Sequence, residues 1–285
     1  MSDNAGQAAL EAKIADLRAR KARVMEMGGA VAVERHRASG RLPVRERLDL
    51  LLDAGSWFEF GALALPEMRS ERFVAGDGVV TGFGRIDGAM VGVIGIDSTI
   101  LAGTTAPTSM RKQSRLIEHA QRSGFPIVLL CDADGGRIPD VMGWRFSGLP
   151  LDFLTFVKPA PGQAAVPRAA AILGPSYGDS ALHASTAHFT VMIASGAVAL
   201  SGPSVIQSAI GETISDTELG GPEPAQAAGN VHMVVGDESQ AMQAIAAFLS
   251  YLPANAELEA PVAPARPAGR PAEDFERLVP LGAKA

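Results

Sequence analysis

Three glycine-bearing segments have the residue types and spacing to do chemistry. Each follows a short apolar stretch: Gly103-Thr104 comes after Asp97, Gly135-Gly136 after Cys131, and Gly178-Asp179 after Leu173-Gly174. Two backbone amides that converge near a helix N-terminus can stabilise an oxyanion or a thioester enolate without an ionisable side chain. A single loop of this kind is most often only a turn that needs a positive φ. Three of them at strand ends favour an anion-stabilising site.

A second chemistry is suggested by Gly174-Pro175-Ser176-Tyr177-Gly178, which has the G-x-S-x-G spacing of a hydrolase nucleophile elbow. The acid and the histidine of such a triad must follow the serine in that order. His232 comes late enough, with Asp216 or Glu218 before it as the acid. A serine hydrolase with Ser176 as nucleophile therefore remains an alternative.

A pair of cations, Arg111 and Lys112, opens a predicted helix, and Arg115 follows one turn later. These side chains could meet the phosphates of a nucleotide-like ligand, or they could form an ordinary solvated helix face. The other histidines show no metal-ligand spacing and have no cysteine nearby, so they predict packing or surface roles and no metal site: His36, His119, His183 and His188.

Composition excludes several classes of protein. The chain has 285 residues, a net charge of −6 and one cysteine, Cys131, which excludes an internal disulfide and a four-cysteine zinc module. No Lys or Arg lies between Ala169 and Ala265, so a nucleic-acid footprint is not expected. No apolar run reaches the ~18 residues of a membrane span. These features predict a cytoplasmic protein that binds neither nucleic acid nor membrane.

The elements that must position these loops are an N-terminal helical part and an alternating α/β part. Leu10 to Val24 has helical spacing and stops at Gly28-Gly29, and a second helix runs from Pro43 to a turn at Asp53-Ala54-Gly55. We interpret residues 1–55 as a basic helical collar made by this pair.

Short apolar strands and helices then alternate, which indicates the α/β class. Two strands, 78–86 and 89–96, are joined by Asp87-Gly88, a dipeptide typical of a tight hairpin. Further strands are predicted at Ile127–Cys131, Ala169–Leu173 and Phe189–Ile193, and helices at Pro107–Ser123, Ser176–Ala187, Pro203–Ile210 and Glu238–Tyr251. Residues 56–253 form the predicted domain, and 254–285 a Pro/Ala-rich linker and tail. The apolar residues Phe275, Leu278 and Val279 suggest either a docking segment or a frayed end.

Several blocks of residues, in order from Gly40 to Pro253, resemble the N-terminal half of a known family. The blocks are Gly40 to Ser56, Gly76 to Gly82, Asp97 to Thr104, Asp132 to Ile138, Gly174 to Asp179, Gly202 to Ile206, Glu218 to Gly221 and Leu249 to Pro253. This order is similar to that of the carboxyltransferase (beta) subunit of biotin-dependent acyl-CoA carboxylases, the propionyl-CoA and methylcrotonyl-CoA carboxylase type.

The resemblance implies a crotonase-like fold, a spiral of ββα units forming a single carboxyltransferase N-type domain. It implies that the N–H groups of Gly178 and Asp179 form the oxyanion hole for an acyl-CoA thioester. It also implies substrate-binding positions, with no metal, at Gly103, Thr104, Arg111, Lys112, Gly135, Gly136, Arg137 and Tyr177.

The chain departs from the family pattern in the glycine loops. The family usually shows Ser-Gly-Gly-Ala-Arg-Ile where this chain reads 133–138 with Asp134, and Ala-Gly-Gly-Ala where it reads Tyr177-Gly178-Asp179-Ser180. A histidine common in the family is Ala225 here. A carboxylate beside an oxyanion pocket opposes the developing charge unless it is paired or points away. Altered substrate choice or lost activity therefore stays open.

The resemblance further implies an obligate hetero-oligomer. Its partners would be a separate C-half subunit, a biotin carboxylase and a biotin carrier protein bearing carboxybiotin, and its substrate a coenzyme A thioester. The other half is either a separate subunit or absent because the chain is a truncation, and the separate subunit is favoured because Leu278-Val279-Pro280 resembles the family's junction between halves. The ureido nitrogen of biotin can take the α-proton, so no protein base is required. An acyl-CoA decarboxylase and a non-catalytic half are the alternatives.

Overall fold

The computed structural model describes residues 2–68, 73–138, 140–142, 162 and 164–262. The first half contains α1 Ser2–Met25, α2 Ala30–Ala38, α3 Val44–Leu51, β1 Phe58–Phe60, β2 Val79–Ile86, β3 Ala89–Ile96, α4 Pro107–Ser123 and β4 Ile127–Asp134. The second half contains β5 Arg168–Tyr177, α5 Asp179–Ser185, β6 Phe189–Ile193, β7 Ala197–Ala199, α6 Pro203–Ile210, α7 Asp216–Gly220, α8 Pro222–Ala227, β8 Met233–Val235 and α9 Glu238–Ser250.

The strands form one mixed sheet in the order β1-β2-β3-β4-β5-β6-β8, with β7 paired to β5. The hairpin β2–β3 is antiparallel, and β3 to β8 run parallel to one another. The predicted hairpin is confirmed: Asp87 and Gly88 both have positive φ, at 49° and 81°, which matches the right-handed twist of the flanking strands.

Both faces of the sheet are buried, which explains why its parallel strands are nearly continuous apolar runs. Val128 and Leu130 of β4 face one core with α3 and α9, whereas Ile127 and Leu129 face the other with α4 and α5. The α/β layering predicted from the alternating pattern is therefore confirmed. None of the helices in the described ranges is long and apolar enough to cross a membrane.

The two N-terminal helices do not form the predicted pair. Leu48 and Leu51 of α3 belong to the core beside the sheet, and α3 contacts mainly β3 and α9. Helix α1 forms as predicted, but Leu10, Ile14 and Leu17 on it are exposed. Among the side chains of α1 that the structure describes, only Val24 belongs to a core cluster. The apolar spacing of α1 therefore predicts the helix correctly but not its packing partner, because α3 packs on the sheet instead of on α1.

The longest strand, β5, runs at its carboxyl end into the turn at Gly178 and Asp179. Its first half pairs with β6 and its last three residues pair with β7. The register between β4 and β5 shifts near Asp132, where Cys131 pairs with Ile172 but Ala133 pairs with Ser176. The irregularity adds two residues to β5 and brings its last residue, Tyr177, level with Asp134 at the end of β4.

The element bounds agree with the sequence at several places and fail at one that matters. Pro107–Ser123, Phe189–Ile193 and Pro203–Ile210 are observed as predicted. The helix predicted over Ser176–Ala187 instead begins at Asp179, because the strand continues to Tyr177.

In the predicted linker, Ala256 donates its N–H to Ala165 O at 2.9 Å. Phe275, Leu278, Val279 and Pro280 lie outside the described residues.

Candidate active site

The three glycine loops meet at the carboxyl ends of β3, β4 and β5. A Cβ on Gly103 would lie 2.6 Å from the Asp132 carbonyl oxygen, and a Cβ on Gly178 would lie 3.1 Å from Gly135 Cα. Thr105 pairs in parallel with Gly136 as an isolated bridge. The loops are therefore packed backbone against backbone, a contact that larger residues at Gly103 and Gly178 would break.

Gly178 and Asp179 form the turn between β5 and α5. Gly178 has φ 67° and ψ −128°, a conformation that is essentially restricted to glycine. Its N–H donates to Leu200 O at 3.1 Å, so one of the two predicted oxyanion donors is engaged within the chain. The first amides of α5, beginning with Asp179, have no intrahelical acceptor. The donors that the chain offers to a ligand thus begin at Asp179.

The Asp179 side chain is hydrogen-bonded rather than directed freely at the loops. Its Oδ1 accepts from Thr105 Oγ1 at 2.5 Å, and its Oδ2 accepts from Gln113 Nε2 at 3.4 Å. Thr105 and Gln113 are both buried. Both oxygens of the Asp179 carboxylate are thus engaged by neutral donors, which fix its direction.

Tyr177 is buried and holds the turn from the other side. Its hydroxyl bonds Asp216 at the start of α7, and its ring lies 3.0 Å from where a Gly202 Cβ would be. Burial and the adjacent Asp216 carboxylate raise the pKa of the Tyr177 hydroxyl. The ring therefore supports the turn, and the bonded hydroxyl faces α7.

Arg137 follows the second glycine loop and is used internally. It forms a buried ion pair with Asp77, and its Nη2 donates to Thr104 O at 2.8 Å. The same Asp77 carboxylate accepts the Ser109 N–H of α4 at 2.8 Å. Arg137 thus ties the Thr104 loop to the start of α4, and a direct contact with substrate by its guanidinium would require these bonds to break.

The predicted cation pair is split between the interior and the surface. Lys112 is 5% exposed and its ammonium donates to the carbonyl oxygens of Gly76, at 2.7 Å, and Val79. Burial lowers its pKa from 10.5 to about 8. Arg111 is exposed and pairs with Glu67. The structure does not bring the two together, and Arg111 alone remains on the surface for a phosphate.

The hydrolase triad is not assembled. Ser176 lies within β5, is fully buried, and its hydroxyl donates to Gly174 O at 3.3 Å. Asp216 is bonded to Tyr177, and His232 Nδ1 accepts from Thr190 N at 3.0 Å. A nucleophile elbow must present its serine on a sharp exposed turn, so the G-x-S-x-G match does not make Ser176 a nucleophile.

The other titratable groups near the loops pack in the interior. His183 is buried, and burial lowers its pKa to about 4; burial also raises the pKa of Cys131 to about 12. The part of the chain that the structure describes holds no group of three His, Cys, Asp or Glu residues able to bind a metal ion. His183 is thus the packing residue that its sequence context indicates.

An ionic cluster that sequence reasoning missed lies beneath the loops. Arg47 of α3 is fully buried and binds Glu238 of α9 through Nε at 2.7 Å and Asp132 of β4 through Nη2 at 2.9 Å. Arg41 binds the other oxygen of Asp132 at 2.7 Å. The segment R-L-P-V-R-E-R, residues 41–47, carries Arg41 and Arg47 at its two ends. Their common acid lies 85 or more residues away in the chain, so local spacing does not reveal it.

A crevice of about 470 Å³ opens between α2 and the loop at 98–102. Arg35, His36 and Arg41 line it on one side, and the apolar Phe73 and Leu101 on the other. Burial lowers the pKa of His36, opposed by the nearby Asp132 carboxylate. The 98–102 wall runs directly into Gly103 and Thr104, so the crevice is continuous along the chain with the glycine loops.

Comparison with known proteins identifies similar chains. Residues 35–285 match the family model described as the carboxyl transferase domain. The propionyl-CoA carboxylase beta chain of Saccharopolyspora erythraea is 33% identical over 260 residues, covering 88% of this chain and 46% of the relative. The biotin-dependent long chain acyl-coenzyme A carboxylase beta4 subunit of Mycobacterium tuberculosis is 35% identical over 255 residues, covering 88% and 47%.

Among solved structures, transcarboxylase 12S with methylmalonyl-coenzyme A and methylmalonic acid bound is 30% identical, with a TM-score of 0.83, covering 96% of this chain and 54% of that one. This similarity confirms the crotonase-like α/β fold predicted from the sequence. The chain spans about half the length of the curated relatives it matches. The relatives do not favour the hydrolase, the decarboxylase or the non-catalytic reading.

Proposed function

Because this chain belongs to the carboxyl transferase domain family, we propose that it is the acyl-CoA-binding half of a biotin-dependent acyl-CoA carboxylase. In this role it binds the thioester and stabilises its enolate while the α or γ carbon accepts a carboxyl group. The observation that carries the proposal is the backbone contact of the Gly103, Gly135 and Gly178 loops beside the start of α5.

The chemistry assigned to this chain is electrostatic. Backbone amides at the start of α5 would face the thioester oxygen, where negative charge develops as the α-proton leaves. Preorganised donors of this kind stabilise the charge without being rebuilt during the reaction. Carboxybiotin, carried by a partner protein, would supply the carboxyl group and, through its ureido nitrogen, the base. The buried Ser176 and His183 are consistent with a site in which this chain provides no proton acceptor.

The surroundings of the residues that depart from the family pattern support retained activity. Asp134 is exposed at the end of β4, whereas Tyr177 and Asp179 have hydrogen-bond partners in α7 and α4 or beside it. The side chains of Asp134, Tyr177 and Asp179, larger than those of the family pattern, therefore do not displace the backbone of the glycine loops. The two substitutions that touch the turn are accommodated by partners elsewhere in the chain.

A companion C-half subunit would complete the cleft, together with a biotin carboxylase and a biotin carrier protein. Apolar side chains beside the Gly178 turn support a docking partner, because Leu200, Val205 and Ile210 are 64%, 55% and 70% exposed. A cytoplasmic location stays a prediction, supported by the single, buried thiol of Cys131.

The phosphates of coenzyme A would lie in the crevice beside α2. Arg35 on its rim is exposed, and Arg41 is held in place by Asp132. Guanidinium groups are well suited to phosphate, and the crevice lining includes Ala102, the residue before Gly103. Arg111, which would have to leave Glu67, is a less direct candidate.

We expect Arg35→Ala to weaken coenzyme A binding about five- to ten-fold, because a charge-assisted bond to phosphate is lost. Isothermal titration with coenzyme A and with pantetheine, which lacks the phosphates, measures the effect. Arg18→Ala, an exposed arginine of α1, is the matched control. Equal affinity of Arg35→Ala and the parent for coenzyme A would reject the crevice as the phosphate site.

Reconstitution tests the function as a whole. The chain is combined with its companion half, a biotin carboxylase and a biotinylated carrier, and carboxylation is measured over a panel of acyl-CoAs. Gly178→Ala should lower the rate about 100-fold, because a Cβ would push on Gly135 and displace the turn. Gly229→Ala, at a positive φ with nothing within 4 Å, controls for backbone strain. Absence of both carboxylation and the reverse reaction would rule out the proposal.

A further inference from the structure

Asp179 occupies the first position of α5, where the family pattern carries glycine, and its carboxylate has specific partners. Thr105 Oγ1 donates to Oδ1 at 2.5 Å and Gln113 Nε2 approaches Oδ2 at 3.4 Å. Thr105 is 4% exposed and Gln113 is 2% exposed. Both partners are preordered by burial, so the contact constrains Asp179 rather than the reverse.

Thr105 also holds the second glycine loop. Its N–H donates to Gly135 O at 2.8 Å, and its carbonyl oxygen accepts the Arg137 N–H at 2.7 Å. The main chain of Thr105 therefore fixes residues 135–137, while its hydroxyl fixes Asp179. One residue connects the loop after β4 to the turn after β5.

The Gly178 N–H bond to Leu200 O and the Tyr177 ring hold the β5 side of the turn, and the Asp179 side chain holds the side that leads into α5. Gly178 has no side chain, and α5 is only 7 residues long. A carboxylate in the first turn is favoured by the helix dipole, and the two hydrogen bonds add a fixed direction to that preference. The amides that begin at Asp179 are thus oriented by the side chain of the same residue.

We propose that the Asp179 carboxylate is a positioning residue that clamps the turn after β5 to Thr105 and Gln113 and so orients the oxyanion-binding amides. The inference rests on the proposed function for its kinetic consequence, but the clamp itself is a property of the chain. The clamp depends on hydrogen-bond acceptance by the Asp179 side chain and not on its negative charge. Both carboxylate oxygens accept hydrogen bonds, and an asparagine amide of the same shape can accept the bond from Thr105.

This distinction between shape and charge defines the variants. Asp179→Asn keeps an acceptor for Thr105, Asp179→Ala removes it, and Thr105→Val removes the donor while leaving the main-chain bonds of Thr105 in place. Thr105→Ser restores a hydroxyl. Asp49→Asn, at an exposed position of α3, controls for the loss of one negative charge.

In the reconstituted complex, Asp179→Ala and Thr105→Val should each lower kcat about ten-fold with KM changed less than about two-fold, since misplaced donors weaken transition-state binding more than substrate binding. Asp179→Asn and Thr105→Ser should each recover most of the kcat lost in the corresponding Asp179→Ala and Thr105→Val variants, whereas the surface control Asp49→Asn should stay within about three-fold of the parent. The double variant Asp179→Ala/Thr105→Val should be no worse than either single one, because both remove the same contact.

Hydrogen exchange of the isolated chain provides a readout that needs no partner. Amides at 179–182 should exchange faster in Asp179→Ala and Thr105→Val than in the parent and in Asp179→Asn. Unchanged exchange and unchanged kcat in Asp179→Ala would overturn the clamp, as would equal loss of activity in Asp179→Asn and Asp179→Ala, which would assign the effect to charge. If no form of the complex carboxylates, the proposed function fails, whereas the exchange result still decides for or against the clamp.

Discussion

The charge state of Lys112 shows what burial does to a single side chain. Its ammonium donates to Gly76 O and Val79 O, yet loss of hydration outweighs these bonds and the nearby Glu59 and Asp77, and lowers its pKa to about 8. The folded state therefore releases this proton at a lower pH than the unfolded chain, for which the pKa is 10.5. Lys112 is thus a source of pH-dependent stability.

The sign of that dependence follows from proton counting. Between about pH 8 and 10.5 the unfolded chain binds the Lys112 proton and the folded chain does not, so the free energy of unfolding rises with pH over this window. The gain attributable to Lys112 is about 3 kcal/mol. Lys112→Met should lack this rise, which is measured as the difference between urea unfolding curves of parent and variant at pH 7.5 and pH 10.

Subtracting the free energy of unfolding of Lys112→Met from that of the parent removes the contributions of other groups that titrate in the same pH range. Cys131, with its pKa raised to about 12, contributes equally to both. Lys13→Met, at an exposed position of α1, should keep the slope of the parent. Parallel pH dependences in the parent and in Lys112→Met would contradict the lowered pKa.

The burial of Lys112 could have been predicted from the sequence, although its positive charge suggested a surface position. It lies four residues before Leu116, and Leu116 and Ile117 are fully buried members of the core. Helical spacing therefore puts Lys112 on the inner face of α4 and Arg111 on the outer face. The positive charge of Lys112 at the start of a helix led to the prediction of a phosphate contact. The apolar residues Leu116 and Ile117 on the same helix face instead indicated that Lys112 is buried.

At the scale of elements, α3, β4 and α9 are held together by Arg47. Its guanidinium binds both oxygens of Glu238 and one oxygen of Asp132, and Gly174 leaves the space, since a Cβ there would lie 2.5 Å from Asp132 Oδ1. Asp132 lies in β4 three residues before Gly135. The cluster thus fixes the strand end from which the second glycine loop departs.

We expect Arg47→Met to lower the free energy of unfolding by about 3–5 kcal/mol, because buried Glu238 loses its guanidinium partner and Asp132 keeps only one of its two arginines, Arg41. The triple variant Arg47→Met/Asp132→Asn/Glu238→Gln should recover part of that loss, since no uncompensated charge remains. Urea unfolding monitored by circular dichroism measures both. Lys21→Met on exposed α1 is the control, and a change in Arg47→Met no larger than in this control would show that the cluster contributes nothing.

Elements with strong local patterns were predictable, and the contacts between them were not. The apolar stripe of α4 and the turn residues Asp87-Gly88 are local signals, and both elements appear as predicted. The end of β5 was not predictable, because its last residues are held in a strand by pairing with β7, a contact with residues some twenty positions later. The glycine loops were recognised by composition, whereas the pairing of Asp179 with Thr105 depends on tertiary packing.

At the scale of the whole molecule, the chain spans about half the length of its relatives and exposes apolar side chains beside its candidate site. Helix α6 contributes no buried residue, and Leu200, just before it, bonds the Gly178 N–H through its carbonyl oxygen. Val205 and Ile210 on α6 are more than half exposed. Exposed apolar surface of this kind is typical of an interface, and under the proposed function the companion half would cover it.

We therefore expect Val205→Asp/Ile210→Asp to weaken assembly with the companion half by ten-fold or more, because about two charges would be desolvated in the interface. The same variant should leave the melting temperature of the isolated chain nearly unchanged, since neither side chain is buried. Ser204→Asp introduces a charge on the opposite face of α6, at 100° per residue, and should assemble normally. Analytical ultracentrifugation of the mixed subunits measures assembly, and undiminished association of the double variant would place the companion half on another surface.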